Sequence, residues 1–159
     1  MSGFDPETLQ GVAAGCPGFQ ARATARALTR YYNACFKPLG LTAEQFSLLV
    51  GIGAAEGATL VDLADKAGVD PTTLSRNVQN LESRNLLSAQ GGRGRAGKRL
   101  ALTPSGRRLL ADAFPLWHWA KAELARRMGD EKLAAARQAM AELAKAAESS
   151  SICLPFGKN

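Results

Sequence analysis

The sequence predicts a mainly α-helical fold with one small β-hairpin, and three observations carry that prediction. Apolar residues recur at helical spacing through most of the chain. Thr, Asp and Pro stand at the starts of these segments and Gly or Pro at several of their ends, where helix caps place them. One segment breaks the helical spacing. Ala89 to Gly97 holds four glycines and two arginines and leads into Lys98, Arg99, Leu100, Ala101 and Leu102, a Gly-rich tip followed by an apolar alternation. With 159 residues and 46% hydrophobic content, the chain is large enough for one compact domain. A domain of that size buries about two-thirds of its unfolded surface.

Residues 1–18 are rich in Gly and Pro and read as irregular. From Phe19 to Phe36 the composition turns helical, with Arg22, Arg26 and Arg30 repeating along one side, and Pro38 and Gly40 end the segment. Thr42 followed by Gln45 makes a capping-box pattern ahead of Phe46, Leu48, Leu49, Val50 and Ile52, a helix buried on most sides. Thr59 caps a short helix holding Leu60, Leu63, Ala64 and Ala67, and Gly68 suits a left-handed C-cap. Asp70 with Pro71 starts the next helix, since proline at the first helical position leaves no amide unpaired. Its inner stripe is Leu74, Val78 and Leu81.

The hairpin is expected to pair Leu86–Gln90 with Arg99–Leu102. Thr103 and Pro104 open a helix to about Met128, with a seam of Leu110, Ala113, Trp117, Ala120 and Leu124 and a kink expected at Pro115. Asp130 starts the last helix, whose seam is Leu133, Ala136, Met140, Leu143 and Ala147. Two long C-terminal helices with seams spaced three and four residues apart read as an interface for another chain. Residues 149–159 read as irregular.

Charge is unevenly placed. Twenty Lys and Arg against fourteen Asp and Glu give +6. The window Ser83 to Arg108 holds seven basic residues and no acid, which leaves the rest of the chain at −1. A local basic patch points to a polyanion, nucleic acid or an anionic membrane surface, rather than to general solubility. The N-terminus is acidic where a signal peptide is basic, and the apolar run Gln45 to Ala55 is too short to cross a bilayer, so a cytoplasmic protein without a membrane partner is expected. Cys16, Cys35 and Cys153 are odd in number and widely spaced. They form neither a disulfide framework nor a zinc pattern, and no metal or other cofactor is expected. One histidine and three isolated cysteines supply no nucleophile–base pair, which argues against an enzyme.

The two short helices from Thr59 to Arg84, joined at Gly68 and Val69, have the spacing of a helix-turn-helix, and the Gly-rich hairpin follows directly. The second helix carries Thr72, Thr73, Ser75, Arg76 and Asn77, with Gln79 and Asn80 one turn on, the donors and acceptors that read base edges. Glu82 is the only acid between Pro71 and Arg108. Arg93, Arg95, Lys98 and Arg99 on the hairpin are placed to grip phosphates or enter a minor groove. A helical corner alone is common in α proteins, and an Arg-rich loop alone is usually solvated. Their conjunction points to double-stranded DNA.

The runs Leu60-Val61-Asp62-Leu63-Ala64, Asp70-Pro71-Thr72-Thr73-Leu74-Ser75-Arg76, Leu81-Glu82-Ser83-Arg84-Asn85-Leu86-Leu87 and Leu100-Ala101-Leu102-Thr103-Pro104-Ser105-Gly106, together with Thr42, Phe46 and Leu49, resemble the MarR family of winged-helix regulators, over about residues 20–148. The resemblance implies a homodimer on a palindromic operator. Residues 19–38 and 104–148 would form the helical dimerisation region and residues 41–103 the winged helix-turn-helix lobe. Such proteins are typically repressors released by small aromatic or acyl ligands, or in some members by cysteine oxidation. Two departures stand out: Gly94 occupies the place of the wing's usual Asp ahead of Arg95, and Asn85 stands where glycine is common, a position Asn tolerates.

The family's ligand cleft, between dimer helices and lobe, would be lined here by Tyr31, Tyr32, Phe46, Trp117 and His118, with Arg26 or Arg30 as the cation. At helical spacing Phe46 and Trp117 also read as plain core, and His118 as a surface side chain. Cys16 and Cys35 are the candidates for a redox switch, with Arg22 and Lys37 as the nearby cations. The rival readings are therefore a redox-sensing regulator, a non-specific architectural DNA-binding protein, and a winged-helix regulator that uses a metal.

Overall fold

The computed structural model describes residues 5–91 and 97–148. Arg93 and Arg95, with Gly94, lie outside the described residues, as do residues 149–159. The order is α1 (Pro6–Gly15), α2 (Pro17–Phe36), a 3-10 turn (Lys37–Leu39), α3 (Ala43–Ala54), α4 (Leu60–Ala67), α5 (Pro71–Ser83), β1 (Leu87–Gln90), β2 (Arg99–Leu102), α6 (Pro104–Met128) and α7 (Asp130–Glu148). The chain divides into two compact units between Trp117 and His118, inside α6.

The irregular segment expected over residues 1–18 is a correction. Asp5 caps α1, its carboxylate accepting from the amide of Thr8 at 2.8 Å and from its hydroxyl at 2.6 Å, and Pro6 takes the first helical position. These contacts offset the cost of Gly11, about 1 kcal/mol in a helix interior. Near the C-terminal end, Gln20 Nε2 donates to the carbonyl of Ala14 at 2.8 Å. Pro17 then opens α2 two residues ahead of the expected start.

The core of the first unit is built around α3. Leu49 and Ile52 are fully covered, and Phe36, Leu41, Leu60, Leu63, Leu74, Val78, Leu81, Leu87, Leu100 and Leu110 close around them. The expected capping box of Thr42 with Gln45 forms at α3, and Thr59 makes a second one with Asp62 at α4. Gly68, at φ 62°, closes α4 in the left-handed region, and Asn85 holds φ 56° after α5.

The hairpin pairs Leu87 with Leu102 and Gln90 with Arg99, antiparallel. It gains a third edge from the α3–α4 connection. Gly57 N donates to Leu100 O at 3.1 Å, Leu100 N donates to Ala58 O at 3.0 Å, and Thr59 bridges Arg99. The wing is therefore tied at its base to the segment leading into the helix-turn-helix.

α6 runs through Pro115 as one helix. In the second unit α7 buries none of its residues, and Met140 and Leu143 of the expected seam are exposed. Among the described residues no helix is long and apolar enough to cross a membrane.

Candidate nucleic-acid interface

α5 presents its polar side because its apolar stripe is spent on the core. Leu74, Val78 and Leu81 are buried, and successive helical residues turn by about 100°. That rotation sets Thr72, Arg76 and Gln79 opposite the buried stripe, and all three are exposed. Ser75 lies on one flank, where its hydroxyl accepts from Gln79 Nε2 at 3.4 Å. Thr73, Asn77 and Asn80 lie on the other flank, toward α3. The helix begins on a strong cap: Asp70 Oδ1 accepts from the amides of Thr72 at 2.8 Å and Thr73 at 3.3 Å. The hydrogen bonds from Thr72, then that from the Thr73 amide, hold the Asp70 carboxyl below its usual value.

Asn80 has a partner inside the protein. Its Oδ1 accepts from Gln45 Nε2 at 2.9 Å. Sequence reasoning counts Asn80 with the base readers because the two residues are 35 positions apart, and no local signal links them.

On the wing, Lys98 is half-buried and Arg99 is exposed. Arg99 Nη1 donates to the carbonyl of Gly57 at 3.0 Å, so the side chain braces the wing base against the α3–α4 connection. Arg107, in the first turn of α6, pairs with Glu56 of the same connection at 2.7 Å. Asp62 is held below its usual value chiefly by the backbone and hydroxyl of Thr59, with smaller contributions from Lys66 and Arg99.

A cleft of about 650 Å³ opens beside α5. α2 gives it Leu28, Thr29 and Tyr32, α3 gives Glu44, Ser47 and Gly51, and α4 gives Leu63 and Lys66. Thr73, Leu74 and Asn77 of α5 complete the wall. Of the expected ligand-binding residues, Tyr32 lines this cleft. Burial, with a smaller contribution from Cys35, raises its phenol above the ordinary value. Tyr32 begins an aromatic ladder, stacked on Phe36 at 6.0 Å, and Phe36 stacks on Phe46 at 4.4 Å. Phe46 is a buried member of the core. Tyr31 meets Tyr32 edge-on at 5.4 Å, Trp117 packs against the core, and Arg26 is exposed. In the second unit His118 is exposed.

Cys16 occupies the position just ahead of α2 and Cys35 lies in its last turn, both half-buried. Nineteen residues of helix separate them by about 28 Å at 1.5 Å per residue. A disulfide within one chain needs Cα atoms less than about 7 Å apart. Among the described residues no group of three His, Cys, Asp or Glu could hold a metal ion.

The comparisons agree with this geometry. The MarR family model matches residues 39–96, from the approach to α3 into the wing. The M. tuberculosis transcriptional regulator MosR is 35% identical, with a TM-score of 0.77 over 87% of this chain and 99% of that one. MosR in complex with DNA is 34% identical, with a TM-score of 0.75 over 86% of this chain and 99% of that one. The repressor CouR bound to p-coumaroyl-CoA shares the fold at 24% identity, with a TM-score of 0.72 over 84% of this chain and 95% of that one. No curated protein matches the chain. A polar-faced second helix, a wing braced to the helix-turn-helix and a relative aligned over nearly its whole length lead to one conclusion: the chain belongs to the MarR family of winged helix-turn-helix, DNA-binding transcriptional regulators.

Proposed function

We propose that the protein is a cytoplasmic, homodimeric repressor that reads a palindromic operator and releases it when a small aromatic or acyl effector fills the cleft beside α5. The carrying observation is the shared wall: Thr73 and Asn77 belong both to the helix that faces DNA and to the cleft. An occupant of the cleft presses on the reading helix directly. A ligand that fits better when α5 is displaced draws the protein toward the displaced arrangement and away from DNA.

The chemistry of the walls favours the effector class. Leu28, Leu48, Leu63 and Leu74 supply apolar surface and Tyr32 an aromatic face, while Lys66 supplies a cation for a carboxylate or phosphate. CouR, of the same fold, binds p-coumaroyl-CoA, an acyl thioester with an aromatic acyl group. The homodimer is supported by α7, which keeps Met140 and Leu143 exposed and has no buried residue of its own. In this reading Thr72, Thr73, Ser75, Arg76, Asn77 and Asn80 serve base recognition, directly or through the lobe. Lys98 and Arg99, with Arg93 and Arg95, serve the backbone grip.

The test is footprinting of the purified protein on a duplex selected from a random-sequence pool, with and without p-coumaroyl-CoA or salicylate as probes. A short symmetric footprint that fades with a probe is the expected result. Uniform coverage of any duplex at physiological salt marks an architectural protein and rejects the proposal.

A further inference from the structure

Gln45 is the only buried polar side chain among the described residues, 8% exposed in a helix whose other inward positions are Phe46, Leu48, Leu49 and Ile52. Burying an amide costs stability unless it is hydrogen-bonded. Here both of its ends are used. Gln45 Oε1 accepts from the amide of Thr42 at 3.1 Å, closing the capping box, and Gln45 Nε2 donates to Asn80 Oδ1 at 2.9 Å. An ionised glutamate would close the capping box equally well, but it could meet Asn80 only by accepting from a flipped Asn80 amide, and it would bring a charge into a buried position. The choice of amide therefore matters for the contact with α5, and the cap alone does not explain it.

The same turn of α3 is held from a second side. The half-buried Asn33 of α2 accepts from the amide of Ala43 at 2.7 Å. Short asparagine side chains on α2 and α5 thus fix the start of α3 between them.

The remaining anchors of α5 on the lobe are Leu74, Val78 and Leu81. Apolar packing is non-directional and leaves some freedom of rotation about the helix axis. A hydrogen bond restricts both distance and angle. With side-chain tips about 5–6 Å from the axis, a rotation of roughly 10–20° moves them by about 1–2 Å. Bidentate base contacts do not survive such a shift.

We propose that Gln45 is a positioning residue for sequence recognition: its bond to Asn80 fixes the rotation of α5, so that Thr72, Arg76 and Gln79 face the bases. Asn80 is then an anchor for α5 and does not itself read a base. This rests on α5 being the base-reading helix.

The experiment compares Gln45→Met, Asn80→Ala, Asn80→Asp and the Gln45→Met/Asn80→Ala double variant in the full chain. Binding is measured by fluorescence anisotropy on the duplex that the wild type selects from a random pool, and on a scrambled duplex, across a salt series. Gln45→Met keeps the size and burial of the side chain and removes both the donor to Asn80 and the acceptor that closes the capping box, while Asn80→Asp keeps the acceptor that meets Gln45. Gln45→Met and Asn80→Ala should each weaken binding to the selected duplex by about 10-fold, in the range of one lost bidentate contact. Binding to the scrambled duplex should stay within about two-fold, with an unchanged salt slope. The double variant should be no worse than either single one, and Asn80→Asp should keep the wild-type ratio between the duplexes.

A lower Tm for Gln45→Met with an unchanged ratio reduces Gln45 to a structural role and overturns the proposal. So does a loss of discrimination confined to the Asn80 variants, because Asn80 would then read bases itself. If Gln45→Met fails to fold, the exposed Asn80→Ala and Asn80→Asp pair decides. Loss of the ratio in Asn80→Ala and its retention in Asn80→Asp support the anchor; equal loss in both overturns it. Failure of the underlying reading shows separately, in a wild-type protein that prefers no duplex.

Discussion

The hydroxyl of Thr103 donates to the backbone carbonyl of Asn85 at 2.7 Å and joins the two ends of the wing. Asn85 sits in the left-handed region between α5 and β1, and Thr103 stands between β2 and α6. The same hydroxyl oxygen accepts from the amide of Gly106 at 3.0 Å, and Thr103 N donates to Leu86 O at 3.2 Å. One threonine thus caps α6, closes the base of the hairpin and holds the turn that follows α5.

Thr103→Val should therefore lower stability by about 1–2 kcal/mol, the loss of a cap and a hydrogen bond together. Gly106→Ala should cost more. A Cβ at Gly106 would clash with the carbonyl oxygen of Leu86, which is backbone and cannot step aside. A loss of about 3 kcal/mol or more is expected, at the upper end of overpacking effects. Urea unfolding of both variants checks the order; equal stabilities would contradict it.

Asp70 gives α5 a pH dependence of known sign. Its folded carboxyl lies below the ordinary value of 3.8, so its contribution to stability is present above that value. It is lost as pH falls through the lower, folded value. Asp70→Asn keeps a neutral cap and removes the titration. The Tm advantage of the wild type over Asp70→Asn should hold from neutral pH to about 5 and shrink below about 4. Thermal melts at stepped pH measure it, and a constant gap down to pH 3 would speak against the cap as its origin.

Arg76 and Lys98 should fail in different ways. Arg76 is exposed opposite the buried stripe of α5, and Lys98 stands immediately before the wing's second strand. Replacing Arg76 with Ala should cost about 1–3 kcal/mol on the selected duplex and relax the preference at one base position. Replacing Lys98 with Ala should weaken all duplexes alike and reduce the salt slope by about 1. Anisotropy titrations on selected and scrambled duplexes at four salt concentrations separate the two patterns.

Much of this was legible because the signals are local. Thr42 with Gln45, the cap at Thr59, Asp70 with Pro71, and Gly68 each act within four residues, and each forms as its pattern predicts. The hairpin was legible for the same reason, since a Gly-rich tip and alternating Leu100 and Leu102 suffice. What escaped was contact at a distance. The bond from Gln45 to Asn80 spans 35 positions, and that from Arg99 to Gly57 spans 42. The residues of the cleft suffered similarly. Phe46 is an aromatic beside the expected site and turns inward onto Phe36, whereas Leu28, Ser47 and Lys66 carry no marker of a binding site. The start of α1 is also local, at Asp5 and Pro6, but Gly11, Gly15 and Pro17 mask its helical pattern.

Gly51 offers a way to separate stability from effector binding. It lies inside α3 and lines the cleft, and a Cβ there would meet Leu63 Cδ2 at 3.6 Å, an ordinary contact. Gly51→Ala should raise stability by about 0.5–1 kcal/mol through helix propensity. The added methyl also narrows the cleft between α3 and α4. An effector bound only to the native protein raises its melting temperature according to its affinity. The unliganded variant should therefore melt higher than the wild type, and salicylate or p-coumaroyl-CoA should raise its Tm by less. A full ligand-induced shift in Gly51→Ala would place the effector elsewhere, since a ligand in this cleft must meet the new methyl group.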